Sequence, residues 1–267
     1  MQNQPQEHNR QAWNNRVRQN AVFTRPAKNE EFDGDILGNL DPRGWLGGDV
    51  KGKRMLCLGA GGGRQGPLYA HLGAIVTVSD ISDEQLKIDD KIAAERGLNL
   101  RTVCASMDDL SMMAEGSFDI VIQPVSTCYV PDISKVYQQV ARVMVEGGTY
   151  VSQHKTPTSL QADVKPTRKG YPLVTPYYTN QPLPQVKGSK HREFGTKEFL
   201  HRWEQLVGGL CRSGFVVEDL AEPYHGKDGA EKGSFADRSN HIAPYVRILA
   251  KRKGRGGVPV SSIIVPD

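Results

Sequence analysis

Long apolar runs are missing from this sequence. None approaches the roughly 20 residues that a helix needs to cross a bilayer. The opening MQNQPQEHNRQ has no apolar core of the kind carried by an export signal. Cysteine is scarce, and the four present (Cys57, Cys104, Cys128, Cys211) are irregularly spaced without a CxxC pair. That pattern argues against a disulfide framework and against a zinc site, so no metal is expected. A large excess of one charge is also absent, since 34 Lys/Arg face 30 Asp/Glu for a net charge of +4. These absences predict a cytoplasmic protein with reduced thiols and no membrane partner.

What charge imbalance exists is local. Between residues 155 and 195, Lys155, Lys165, Arg168, Lys169, Lys187, Lys190 and Arg192 face only Asp163 and Glu193. A basic segment on a more acidic body suits an anionic substrate or nucleic acid, although a solvated loop gives the same composition. The same stretch holds six prolines and three tyrosines (Tyr171, Tyr177, Tyr178) and loses all periodicity. It is therefore expected to be a lid rather than regular core.

Elsewhere the 267 residues suffice for one sizeable core. Residues 1–50 are polar, then rich in Gly, Asp and Pro, with a short helix expected over Arg10–Arg18; they read as a cover segment. From residue 51 to 252, short apolar runs alternate with helical patterns. RMLCLGA, AIVTVSD, LRTVCAS, FDIVIQP and GTYVSQH read as buried strands. Helices are expected over GPLYAHLG, over a stretch opened by the Ser82-x-x-Gln85 capping box and stopped at Gly97, and over Ile133–Val145. Thr196 is expected to cap an amphipathic helix carrying Phe199, Trp203, Leu206, Val207 and Leu210 on one face. GFVVEDL and PYVRILAKRK are two last strands, joined by a polar loop over His225–His241. The alternation predicts an α/β, doubly wound, Rossmann-like domain with a lid insertion at 155–195 and a tail from 253 to 267.

The stretch LCLGAGGGRQG holds five glycines in its last eight residues, directly after the first strand. Glycines at a strand-to-helix turn let the backbone approach a ligand, and the helix N-terminus offers free N–H groups. A nucleoside triphosphate would need Lys and then Ser or Thr after the last glycine, but Gly66 is followed by Pro67-Leu68. A dinucleotide is compatible with Gly61-x-Gly63-x-x-Gly66 and with Asp80 at the end of the second strand. That leaves a nicotinamide-dependent oxidoreductase as an alternative.

Measured from the strand, the turn glycines are Gly59, Gly61 and Gly63, and this register resembles the GxGxG loop of class I S-adenosylmethionine-dependent methyltransferases. VTVSDIS, CASMDDL with GSFDIVIQPVS, and VARVMVEGGTYVSQH resemble the later motifs of that family in the right order. GFVVEDL and PYVRILAKRK then resemble its last two strands. The likeness spans residues 50–154 and 196–252 and is greatest to the small-molecule, type 11 enzymes, some of which carry a pair like Trp13-Asn14. It implies a seven-stranded sheet, mostly parallel, with an antiparallel last strand. It implies S-adenosyl-L-methionine as cofactor, held by Gly59, Ala60, Gly61, Gly63, Asp80, Ile81, Ser106, Met107, Gln123 and Pro124, with Asp80 on the ribose hydroxyls. Two positions depart from the family: Cys57 stands where an acid is usual, and Ala105-Ser106 where Gly-Asp is usual.

Methyl transfer needs an aligned nucleophile and, for a hydroxyl or protonated amine, a general base. His154, at the end of the fifth strand, and Tyr129, after the fourth, are the candidates; His191, His225 and His241 lie in loops near the same edge. The acceptor is expected to be a small molecule, anionic or aromatic. Gln123-Pro124-Val125-Ser126 stands where amino-methylating nucleic-acid enzymes carry their Asn/Asp-Pro-Pro-Tyr/Phe tetrad, which speaks against nucleic acid. A cofactor-binding protein without catalysis is a further alternative.

Overall fold

The structure, a computed structural model, describes residues 4–254; the expected tail falls almost wholly outside the described residues. Its strands are β1 (Arg54–Leu58), β2 (Ile75–Asp80), β3 (Leu100–Cys104), β4 (Phe118–Gln123), β5 (Met144–Lys155), β6 (Phe215–Ala221) and β7 (Tyr245–Arg252). They form one seven-stranded sheet in the order β3-β2-β1-β4-β5-β7-β6. The first five run parallel, and β7 lies antiparallel between β5 and β6.

Because helices cover both faces, alternate residues of each central strand enter two separate cores. Leu56, Leu58, Val121, Tyr150 and Ile248 pack on one side, against Val136, Tyr137 and Val140 of α5 (Ile133–Val143). Met55, Cys57, Val76, Val78 and Ile122 pack on the other, against Tyr69 of α3 (Gln65–His71) and Leu86 of α4 (Asp83–Arg96). Gly66 permits the first of these contacts: a Cβ there would lie 2.3 Å from Val78 Cγ2. Its spacing from Gly61 thus has a packing cause.

Ser82 caps α4 by accepting the Gln85 N–H, and Gly97 ends the helix in the left-handed conformation. The reciprocal half of the capping box is replaced, since the Ser82 N–H goes to Asp80. The N-terminal helix is longer than expected, α1 running Gln4–Arg18, and a short α2 (Ile36–Leu40) follows. The helix expected to reach Val145 stops at Val143, and the backbone passes straight into β5.

The helix expected to open at Thr196 starts late, and its second half packs Leu206 and Leu210 into the core as expected. Residues 196–202 are irregular, and helical backbone begins only with a π-helical turn at Glu204–Gly208 that runs into α7 (Gly209–Arg212). The cause is tertiary. Lys197 N–H donates to Asn9 and Phe199 N–H to the Cys128 carbonyl, which tie the segment to its neighbours, and the Glu198 carbonyl, which a helix would pair with the Arg202 N–H, accepts from Leu183 instead. Two stretches expected to lack structure contain short helices, α6 (Pro157–Gln161) and α8 (Phe235–Ser239). The basic segment expected to be a lid begins with Lys155 buried inside β5. No helix among the described residues is long and apolar enough to cross a membrane.

Candidate cofactor and acceptor site

Beyond the carboxyl ends of β1, β2 and β4 lies a cavity of about 610 Å³. The β1–α3 loop forms its floor. Gly59 adopts φ +61°, and a Cβ there would stand 2.8 Å from Ser126, so the backbone itself is the surface presented. Asp80, at the end of β2, is 5% exposed and accepts hydrogen bonds from Gly61 N–H at 3.0 Å and Ser82 N–H at 2.9 Å. Burial raises its carboxyl above the usual carboxylate range, against the pull of those backbone donors. Each oxygen keeps a lone pair, so the carboxylate can also take hydroxyl donors from the cavity.

Of the expected cofactor residues, Gly59, Ala60, Gly61, Asp80, Ile81, Ser106, Met107 and Pro124 line the cavity. Ser106 gives its hydroxyl proton to Asp108, which leaves its oxygen free only to accept. Gly63 and Gln123 are not in the wall. Gly63 turns its carbonyl to Ala27 N–H at 3.0 Å. Gln123 sits behind the wall, where its amide donates to Ser126 at 3.1 Å and its carbonyl accepts from Tyr150.

One supporting residue belongs to none of the motifs above. Asp89, fully buried in α4, accepts the Gly62 N–H at 2.8 Å. Burial pushes its carboxyl up to about 7, despite the loop N–H groups that favour its charge. The signal was its spacing: Asp89 lies one helical turn after Gln85, on the face turned to the glycine loop.

Helix α1 closes another side. Asn9, 2% exposed, donates to the Tyr129 and Lys197 carbonyls and accepts from Lys197 N–H. Asn14 donates to Asp83 at 2.8 Å and accepts from the Ser82 hydroxyl at 2.6 Å. Trp13 meets Tyr129 edge-on at 5.4 Å, and both rings line the cavity.

The two candidate bases separate. His154 is 1% exposed and does not reach the cavity. Its Nδ1 bonds to Thr127 Oγ1 and its Nε2 to Ser152 Oγ, each at 2.8 Å, and burial pushes its pKa down to about 3. Its side chain points into the sheet–helix core because that is the face its position in β5 dictates. Tyr129 does line the cavity and donates to Glu193 Oε2 at 2.8 Å. Burial, reinforced by Glu193, holds it well above the usual phenol range, so it stays protonated.

The loop histidines also stand apart from the cavity wall. His191 stacks on Phe235 at 4.5 Å, His225 lies edge-on to Phe235 and Tyr245, and His241 packs near Tyr171. The tyrosines of the 155–195 segment likewise point elsewhere, Tyr171 to Asp237, Tyr177 to the Trp203 N–H and Tyr178 beneath Arg202. Glu193 is the residue of this segment that lines the cavity, although in the sequence it stands out only as a charge. Cys57 is fully buried in β1, where burial keeps its thiol protonated.

These walls fit an adenosyl group: a side-chain-free floor, a buried carboxylate with spare lone pairs, and Met107 and Ala105 beside them. Comparison with known proteins agrees. Residues 56–152 match the family model described as a methyltransferase domain. The chain is 33% identical over 228 residues to the uncharacterized methyltransferase YbaJ of Bacillus subtilis (strain 168), covering 80% of this chain and 89% of that protein. It is 29% identical over 175 residues to a ubiquinone biosynthesis O-methyltransferase of Xanthomonas euvesicatoria pv. vesicatoria, covering 65% and 66%. Among solved structures, an S-adenosylmethionine-dependent methyltransferase from Mesorhizobium loti superposes with a TM-score of 0.61 at 21% identity, over 76% of this chain and 93% of that one. The geranyl diphosphate C-methyltransferase of Streptomyces coelicolor A3(2), solved with S-adenosyl-L-homocysteine, gives 0.59 at 17% identity over 93% and 98%.

Proposed function

The chain belongs to the class I S-adenosylmethionine-dependent methyltransferases, and we propose that its methyl acceptor is a small molecule bound in the cavity beside Tyr129. S-Adenosylmethionine supplies the methyl group together with its sulfonium leaving group. In this reading Asp80 accepts the ribose hydroxyls, and the Gly59–Gly61 backbone lies against the cofactor. Met107 and Ile81 border the adenine, and Ser106 accepts from it. Gln123 and Asp89 act indirectly, one by fixing Ser126 and Met107, the other by holding Gly62. Residues 1–50 serve as a cover through α1.

The observation that carries the small-molecule reading is that α1 and Glu193 wall the Tyr129 end of a concave cavity. A nucleic acid needs an open basic track, whereas Lys155 and Arg192 spend their charges on buried carboxylates. The test is transfer of labelled methyl from S-adenosylmethionine, comparing a panel of small hydroxyl and amine acceptors with tRNA and duplex DNA. Labelling confined to small acceptors is expected. Labelling of nucleic acid overturns the reading, and tight cofactor binding with no transfer to any acceptor points to a binding protein.

A further inference from the structure

Behind the Tyr129 end of the cavity, four charged side chains balance one another. Lys155 Nζ lies 2.5 Å from Glu193 Oε2 and 2.5 Å from Glu198 Oε1, and also donates to the His191 carbonyl at 2.9 Å. Arg192 donates to the other oxygen of Glu198. Lys155, Arg192 and Glu198 are not in the cavity wall; Glu193 is. With two cations beside it and one other anion, Glu193 must stay ionised for the cluster to be neutral. The Lys155 charge holds its carboxyl below the usual range even though burial opposes this.

The neighbouring groups decide what Glu193 offers a ligand. Tyr129 has one proton and commits it to Glu193, so its oxygen presents lone pairs. The Asn9 amide, also in the wall, has both protons committed to backbone carbonyls. This end of the cavity is therefore rich in hydrogen-bond acceptors and carries a negative charge whose counter-ions lie behind it. Resting on the small-molecule reading above, we propose that Glu193 and Tyr129 form the acceptor-binding end, taking a molecule that presents a hydroxyl or amine there and turning away carboxylates and phosphates. Trp13 supplies flat apolar surface for the remainder of that molecule. The assignment reverses the anionic acceptor that the basic composition of 155–195 suggested.

The test is calorimetric titration of the full chain, saturated with S-adenosylhomocysteine, with 2-naphthol and with 2-naphthoate at neutral pH. The two probes share a ring system and differ in whether they donate a hydrogen bond or bring a negative charge. Naphthol is expected to bind at least about tenfold more tightly, since an anion opposite Glu193 is repelled. Glu193→Gln is expected to bring the two within roughly threefold while leaving S-adenosylhomocysteine affinity unchanged. Tyr129→Phe retains the carboxylate and is expected to keep the discrimination; its loss there overturns the assignment to Glu193 even if Glu193→Gln fails to fold. Equal binding of the two probes to the wild type, binding of neither, or an unchanged ratio in a Glu193→Gln protein that folds each overturns the proposal. Failure of S-adenosylhomocysteine itself to bind would take down the underlying methyltransferase reading, and the proposal with it.

Discussion

At the scale of single residues, the site is built from groups whose chemistry is set by burial. Asp80 is the sharpest instance, a carboxylate enclosed at the floor with two backbone donors and spare lone pairs. Asp80→Ala removes a charged acceptor worth about 1.5–3 kcal/mol to hydroxyl donors. S-Adenosylhomocysteine affinity should therefore fall by roughly 10- to 100-fold in a calorimetric titration. Unchanged affinity would mean that the ribose lies elsewhere. Asp89 supports a pH prediction. Its folded-state pKa, about 7, is raised from 3.8, so between these values the folded protein binds the proton more firmly than the unfolded chain. Ionised Asp89 thus costs stability, by nothing below about pH 4 and by its full amount above about pH 7, at roughly 1.4 kcal/mol per pH unit between. Melting temperatures of wild type and Asp89→Asn from pH 4 to 8 should diverge in the variant's favour up to about pH 7 and then run parallel. A constant difference would show that Asp89 ionises normally.

His154 marks the limit of reading residues from sequence. Its place at a strand end was legible, but which face it takes depends on the full length of β5, which runs from Met144 to Lys155. His154→Phe should leave S-adenosylhomocysteine affinity intact while lowering stability. Thr127 and Ser152 would each lose a buried partner, at about 1–3 kcal/mol apiece in chemical denaturation. Cofactor affinity falling with stability intact would return His154 to the site.

At the scale of elements, what sequence revealed was whatever local chemistry determines. The strand, glycine turn and helix over residues 54–71, and the Ser82 cap with its Gly97 stop, follow from periodicity, caps and left-handed glycine. What it concealed was set by partners far along the chain. Residues 196–202 have the spacing of a helix, yet Asn9 and the Cys128 and Leu183 backbones claim their hydrogen bonds. The Lys155–Glu193–Glu198 cluster joins residues 38 and 43 positions apart across an irregular segment, and composition read it as excess charge. Helix α1 depends on the same long-range bonding. Asn9→Ala removes three hydrogen bonds that tie α1 to the Tyr129 turn and to Lys197. Hydrogen exchange should then accelerate in α1 and at residues 196–199 while the β1–β4 strands stay protected. Uniform acceleration would instead mean that α1 and the sheet unfold as one unit.

At the scale of the whole molecule, the parallel sheet gathers the ends of β1, β2 and β4 at one edge, and open sheets of this kind place their ligands there. The N-terminal helix and Glu193, both distant in sequence from that edge, add walls to the cavity there. The cavity gathered there is shaped for an adenosyl cofactor. Thermal unfolding of the full chain in buffer, S-adenosylmethionine, S-adenosylhomocysteine, NAD or NADP tests it most directly. A ligand at about a hundred times its dissociation constant adds ~2.7 kcal/mol to stability, a rise of several degrees for a chain of this size. That rise is expected with the two adenosyl compounds and with neither nicotinamide. A rise with NAD or NADP, or none with the adenosyl compounds, would contradict it.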